Sequence, residues 1–304
     1  METILITTSS FDKANTGLVG LLESRGYRVV LNPFGRKLSE DEVLKLVVDH
    51  QPVGMIAGVE PLTDKVLALA EKLKVISRCG IGLDSVDLDA AKELNITVTN
   101  TPDAPTMAVA ELTLGMILSL LRSIHLSDSS IREGNWLRPT GNLLHKKCVG
   151  IIGCGRIGSR LAHLLGPFEC RVLGCDIVCG EDECNYEPKG LDTIFTEADI
   201  ITLHIPYSAE NHHFINAERI NMMKNKCIIV NTARGGLIDE DALYEALKDS
   251  RLGGAALDSF EEEPYRGALK TINNVLLTAH IGSYAQEGRI MMESQAVNNL
   301  IEAL

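Results

Sequence analysis

The stretch Val149-Gly-Ile-Ile-Gly-Cys-Gly-Arg-Ile-Gly158 is where the fold of this chain becomes readable. A strand-length run of apolar and small residues enters a GxGxxG, and helical periodicity resumes over 156–165. The next apolar run, 172–175, ends on Asp176. Strand, glycine turn, helix and distal acid in that order form a dinucleotide-binding fingerprint. Gly153 permits the tight turn, Gly155 lets the backbone approach a pyrophosphate, and Gly158 allows close packing of helix on strand. The first N–H groups of the helix, with its dipole, suit a diphosphate. A carboxylate at Asp176 accepts bonds from ribose hydroxyls and repels a 2′-phosphate, so NAD is expected over NADP.

Working outward, apolar runs of strand length recur at 4–6, 29–31, 55–57, 75–76, 149–152, 172–175, 200–203, 227–230, 255–257 and 275–277. Between most of them lie stretches of helical period, among them 64–73, 156–165, 191–197, 218–223 and 240–247. Strands alternating with helices imply parallel sheet, and buried parallel strands read as continuous apolar runs. The class is therefore α/β. A long helix is expected at 107–122, then a polar loop carrying Trp136, and an amphipathic helix at 285–304. Proline in Asn100-Thr-Pro102 favours a boundary near 101.

Length and charge narrow the function. A chain of 304 residues suits about two domains. With 45% hydrophobic and 23% charged residues it is an ordinary globular composition, which argues against disorder. A net charge of −12 disfavours nucleic acid and anionic membrane as partners. The N-terminal residues lack the basic and long apolar regions of a secretory signal, and a cytoplasmic location with reduced thiols is expected for the eight cysteines.

Three motifs follow three expected strands: Asn231-Thr-Ala-Arg234-Gly-Gly, Asp258 through Glu263-Pro264, and Thr278-Ala-His280-Ile-Gly282-Ser283. Ligands bind at the carboxyl ends of strands in open α/β sheets. An arginine there can grip a carboxylate, and a histidine can carry a hydroxyl proton near neutral pH. A glutamate on the imidazole would fix its tautomer. Glu261 and Glu262 are rivals to Glu263 for that task; the position before proline favours Glu263.

With these motifs the chain resembles the D-isomer-specific 2-hydroxyacid dehydrogenases, and within them the D-3-phosphoglycerate dehydrogenase branch. The resemblance also rests on Arg78-Cys-Gly-Ile-Gly82-Leu-Asp84-Ser-Val-Asp87, Pro102 through Glu111, and His204-Ile-Pro206. It implies two Rossmann-like, doubly wound parallel-sheet domains with the active-site cleft between them. Residues 1–101 plus 284–304 would bind substrate and 102–283 would bind NAD. It implies catalytic roles for Arg234, Glu263 and His280. Cofactor contacts would fall on Gly153, Gly155, Arg156, Ile157, Gly158, Asp176, His204, Ile205, Pro206, Thr232, Ala233, Arg234, Asp258, His280, Gly282 and Ser283. Arg78, Gly80, Ile81, Gly82 and Arg234 would bind a small 2-hydroxy or 2-keto acid. It further implies a homodimer through the NAD-binding domain, and a short form without a C-terminal regulatory domain.

Departures bear on the substrate. Relatives that oxidise phosphoglycerate often carry a basic residue in the loop after the third strand; here that loop is Ala57-Gly58-Val-Glu60-Pro. Arg78 matches a phosphate-contacting arginine of that branch. Phosphoglycerate and a smaller acid such as glyoxylate or hydroxypyruvate both stay open, as does a non-catalytic, NAD-sensing corepressor. No metal is expected: Cys175, Cys179 and Cys184 lack the spacing of a zinc site. His212-His213 lies in a polar loop and reads as solvated surface.

Overall fold

A computed structural model describes residues 1–14, 16–177 and 185–304. The chain divides into two compact units, Met1–Pro105 with Ser283–Leu304, and Thr106–Gly282.

The first unit holds a parallel sheet of β1 (Thr3–Ile6), β2 (Arg28–Leu31), β3 (Gly54–Ala57), β4 (Val75–Arg78) and β5 (Thr97–Thr99), in the order β2-β1-β3-β4-β5. β1, β3 and β4 are buried throughout, as continuous apolar runs in a covered parallel sheet should be. One face is covered by Glu40–His50 and neighbouring short helices, through Val43, Val47, Val66 and Leu67. The Glu40–His50 helix starts at a full capping box of Ser39 and Glu42. The other face carries the last helix, Gln286–Ala303, whose Met292, Ala296, Val297 and Leu300 pack with Ile4, Ile56 and Val75.

The second unit is built on β6 (Cys148–Ile152), β7 (Arg171–Cys175), β8 (Glu187–Pro188), β9 (Ile200–Leu203), β10 (Ile228–Asn231), β11 (Gly254–Leu257) and β12 (Val275–Leu277). Their order, β12-β11-β10-β9-β6-β7-β8, reverses direction between β6 and β9. All the strand pairs are parallel. In open α/β sheets ligands bind at the strand carboxyl ends beside such a reversal. The helix Thr106–Leu121 lays Met116, Ile117 and Leu120 against Val149, Val230 and Ala256 on one face. Leu243, Ile220 and Phe195 build the opposite core.

The apolar runs became strands with shifts of a residue or so. Two strands escaped the reading, β5 and β8, which are short, edge-placed and polar. The expected loop after residue 122 begins instead with a helix, Ile124–Arg132. That helix buries little beyond Ser130, so the sequence had no apolar stripe to announce it. The expected helix 64–73 stops at Ala68. Among the described residues no single helix is long and apolar enough to cross a membrane.

Candidate active site

The glycine turn sits on the sheet reversal. Gly153 has φ +93°, a left-handed conformation that suits glycine. A Cβ there would lie 2.6 Å from the carbonyl carbon of His204, which follows β9. A Cβ on Gly158 would lie 2.0 Å from the Gly153 carbonyl oxygen, so both glycines are set by close approach. Gly155 caps the helix Arg156–Leu165 without any side-chain hydrogen bond, and nothing lies within 4 Å of where its Cβ would be. The helix start therefore offers backbone N–H groups beside open space, which is what a diphosphate requires. Arg156 is exposed and Ile157 half-buried at this end.

Asp176 follows β7, and its Oδ2 accepts from the Cys154 N–H at 2.6 Å. The carboxylate is thus fixed beside the turn, in register for a ribose diol. The Cys154 thiol points inward to the Ile151 carbonyl at 3.8 Å. Glycine turn, uncapped helix and anchored acid together fit a dinucleotide. Cys175 is half-buried; Cys179 and Cys184 lie outside the described residues.

His204 behaves as a structural brace. Its Nε2 meets Thr202 Oγ1 at 2.9 Å, while its buried Nδ1 has no hydrogen-bond partner. Burial pushes its pKa down to about 4, so the ring is neutral at physiological pH. Ile205 is half-buried and Pro206 exposed just beyond it.

β10, β11 and β12 are neighbours, and each delivers one motif at its carboxyl end. After β10, the buried Asn231 ties off its own turn: Nδ2 donates to the Arg234 carbonyl at 2.8 Å and Oδ1 accepts from Ala233 N–H at 3.0 Å. Thr232 is buried and its hydroxyl meets that of Thr113 at 2.9 Å. Arg234 is half-buried and donates from Nη1 to the Ala233 carbonyl at 2.8 Å. A Cβ on Gly235 would lie 1.8 Å from the Phe260 carbonyl carbon, so the turn after β10 is packed on the one after β11.

After β12, His280 stands at φ +53° with a side chain 37% exposed. Its Nδ1 lies 3.0 Å from both carboxylate oxygens of Glu263. Nδ1 therefore carries the proton in the neutral ring, and Nε2 is the basic atom left for a substrate. Glu263 Oε1 also accepts from the Phe260 N–H at 3.2 Å. The glutamate on His280 is thus Glu263, and Glu261 instead meets His213.

Asp258, buried to 1% exposure, clamps the histidine loop from beneath. Its Oδ1 accepts from Thr278 Oγ1 at 2.6 Å and Ile281 N–H at 2.8 Å, and its Oδ2 from Gly282 N–H at 2.7 Å. This anchoring function, and that of Asn231, went unread in the sequence. Asp258 forms tertiary bonds that no spacing rule marks, while Asn231 closes a local turn on the residues two and three positions after it. Ser283 falls in the other unit.

In the first unit, Arg78 ends β4 and is only 6% exposed, its guanidinium donating to the Cys79 carbonyl. It folds over Gly80, where a Cβ would lie 1.9 Å from its Nη1 and φ is +148°. Gly80 N–H is committed to Thr101 Oγ1 at 2.8 Å. Ile81 and Gly82, half-buried, follow it with no such backbone bond of their own. Glu60, the acid of the loop after β3, is buried and accepts from Gly58 N–H at 2.9 Å and from the Thr7 hydroxyl.

Residues 114–282 match the family described as D-isomer specific 2-hydroxyacid dehydrogenase, NAD binding domain. D-3-phosphoglycerate dehydrogenase of Methanocaldococcus jannaschii is 40% identical over 261 residues, covering 83% of this chain and 49% of that one. Hydroxypyruvate reductase of Thermotoga maritima is 37% identical over 273 residues, covering 88% of this chain and 89% of its own. The crystal structure of the TT0316 protein from Thermus thermophilus superposes with a TM-score of 0.91 at 34% identity, over 99% of this chain and 96% of that chain. The chain belongs to the D-isomer-specific 2-hydroxyacid dehydrogenase family, and its second unit carries that family's NAD-binding domain. It spans about half the length of the D-3-phosphoglycerate dehydrogenases it matches.

Proposed function

We propose that this chain is an NAD-dependent dehydrogenase of a short D-2-hydroxy acid. The observation that carries this reading is the Glu263–His280 pair, with Nδ1 held at 3.0 Å, beside the Arg234 turn on a neighbouring strand end. Bound NAD supplies the hydride acceptor. His280 Nε2 takes the hydroxyl proton, and Glu263 stabilises the imidazolium so formed. Arg234 holds the substrate carboxylate with its guanidinium fork. Gly155 and the start of the Arg156–Leu165 helix receive the diphosphate, and Asp176 the ribose. A complete proton-transfer pair favours an enzyme over a corepressor.

Phosphoglycerate chemistry is one candidate, after the M. jannaschii relative. Reduction of hydroxypyruvate or glyoxylate is the second. It is favoured by Arg78, which is turned inward onto a carbonyl, and by Glu60 in the loop after β3. Nicotinamide absorbance with 3-phosphohydroxypyruvate, hydroxypyruvate, glyoxylate and pyruvate tests both. Turnover of the phosphorylated acid alone selects the first, turnover of the small acids the second, and turnover of none removes the enzymatic reading.

A homodimer is part of the proposal. Ile124, Ile131, Trp136, Leu137 and Leu143, all from one stretch of the chain, are exposed in the single chain, and burying them in a self-interface would remove that apolar surface from water. A monomer by sedimentation would remove it. Free thiols at Cys79, Cys148, Cys170 and Cys227 support a cytoplasmic location.

A further inference from the structure

Away from the proton-transfer pair, two segments of the second unit converge. His212 and His213 lie in the loop after β9, and Glu261 lies in the turn after β11. One ligand atom from each falls within 4.8 Å of the others. His213 Nε2 is 2.5 Å from Glu261 Oε1, and the two imidazoles stack with centroids 3.8 Å apart. Adjacent residues on an extended chain would point opposite ways. Here His213 adopts φ +53° and donates its N–H to the Gly236 carbonyl at 2.8 Å, which aims both rings at one side.

The surroundings resemble those of a built ligand set. The Tyr207 hydroxyl is 3.3 Å from His212 Nδ1 and orients that ring. Asp239 Oδ2 stands 4.0 Å from His213 Nδ1, on the far side of the ring from Glu261, and Asp239 is itself fixed by accepting from Ala242 N–H at 2.9 Å. A carboxylate behind an imidazole increases its basicity toward a metal. Glu240 accepts from Glu261 N–H at 3.0 Å, which adds a third carboxylate to the neighbourhood. Negative potential of this kind gathers cations.

We propose that His212, His213 and Glu261 form a site for a divalent transition cation of the zinc, cobalt or nickel type. Two imidazoles and one carboxylate suit such ions and not magnesium or calcium, which take all-oxygen sets. Three protein ligands leave further positions to water. The ion would join the loop after β9 to the turn after β11 that also carries Glu263, with the Gly235-Gly236 turn between them. Gly236 already packs on Tyr207 and Gly235 on Phe260.

The test is a cobalt(II) titration of the full chain in chelator-treated buffer, read by visible absorbance and by thermal shift. We expect one saturable equivalent, ligand-field bands without a thiolate charge-transfer band, and a raised melting temperature. Magnesium in excess should not compete. His213→Asn and Glu261→Gln should each weaken binding roughly tenfold or more. Both side chains are partly solvated, so the fold should tolerate the changes. A wild-type chain that gives no saturable signal overturns the proposal, as an ordinary ion pair would behave. So does a thiolate band, or equal affinity in both variants. These readouts need no enzymatic turnover, so their failure is separable from failure of the dehydrogenase reading.

Discussion

Glu263 presents both of its carboxylate oxygens to His280 Nδ1 at 3.0 Å. The pairing assigns the ring tautomer and leaves Nε2 for chemistry. His280→Ala should therefore lower kcat by roughly 10²–10⁴-fold. NADH affinity, measured by fluorescence titration, should stay near that of the parent. A modest loss of turnover would mean that another group moves the proton. Glu263→Gln should reduce kcat less than His280→Ala and also spare coenzyme binding.

Arg234 is held by a turn that Asn231 ties at both ends. Arg234→Lys keeps the charge but loses the planar fork. The expected loss is about 2 kcal/mol of transition-state binding, or roughly 30-fold in kcat/KM. Kinetics that match the parent would remove the carboxylate-gripping role.

Asp258→Asn places an amide against two backbone N–H groups, at least one of which it cannot accept from. Thermodynamic stability should drop by about 1–3 kcal/mol, read from the urea midpoint of the transition that includes the second unit. Turnover should fall with it, because the His280 loop loses its anchor. Unchanged stability would show that the three short bonds to Asp258 contribute little.

His204 gives the protein an acid-sensitive element. Burial lowers its pKa to about 4 in the folded chain, against an ordinary 6.5. The unfolded chain therefore binds this proton first as pH falls below 6.5, so stability decreases from there down to about pH 4. The full effect is of order 3 kcal/mol. His204→Gln, which retains a partner for Thr202, should flatten that limb of a stability–pH curve. If parent and variant lose stability in parallel between pH 7 and pH 4, His204 is not the source.

Local chemistry announced most of this architecture. Buried parallel strands such as β1, β6 and β9 are apolar apart from Thr3 and Thr202, so hydropathy alone places them. The glycine turn was legible because Gly153 needs a positive φ and Gly158 a close backbone approach that leaves no room for a Cβ. The helix Ile124–Arg132 was not, since it has almost no buried side to create a period. The His280 motif could be seen, but not that Asp258 supports it by three bonds, because those partners lie about twenty residues apart and meet only through neighbouring strands. The pair His212-His213 read as surface because its third member, Glu261, is 48 residues distant from His213.

The helix Gln286–Ala303 completes the core over Ile4, Ile56 and Val75, yet it is translated after the whole of Thr106–Gly282. Domains generally form as units while the ribosome is still working. The contiguous middle of this polypeptide can mature as soon as it emerges. Residues 1–105 must wait, with one side of their β-sheet uncovered, until Gln286–Ala303 has left the exit tunnel. In a cell, that early stretch is where a chaperone would find its longest-lived target.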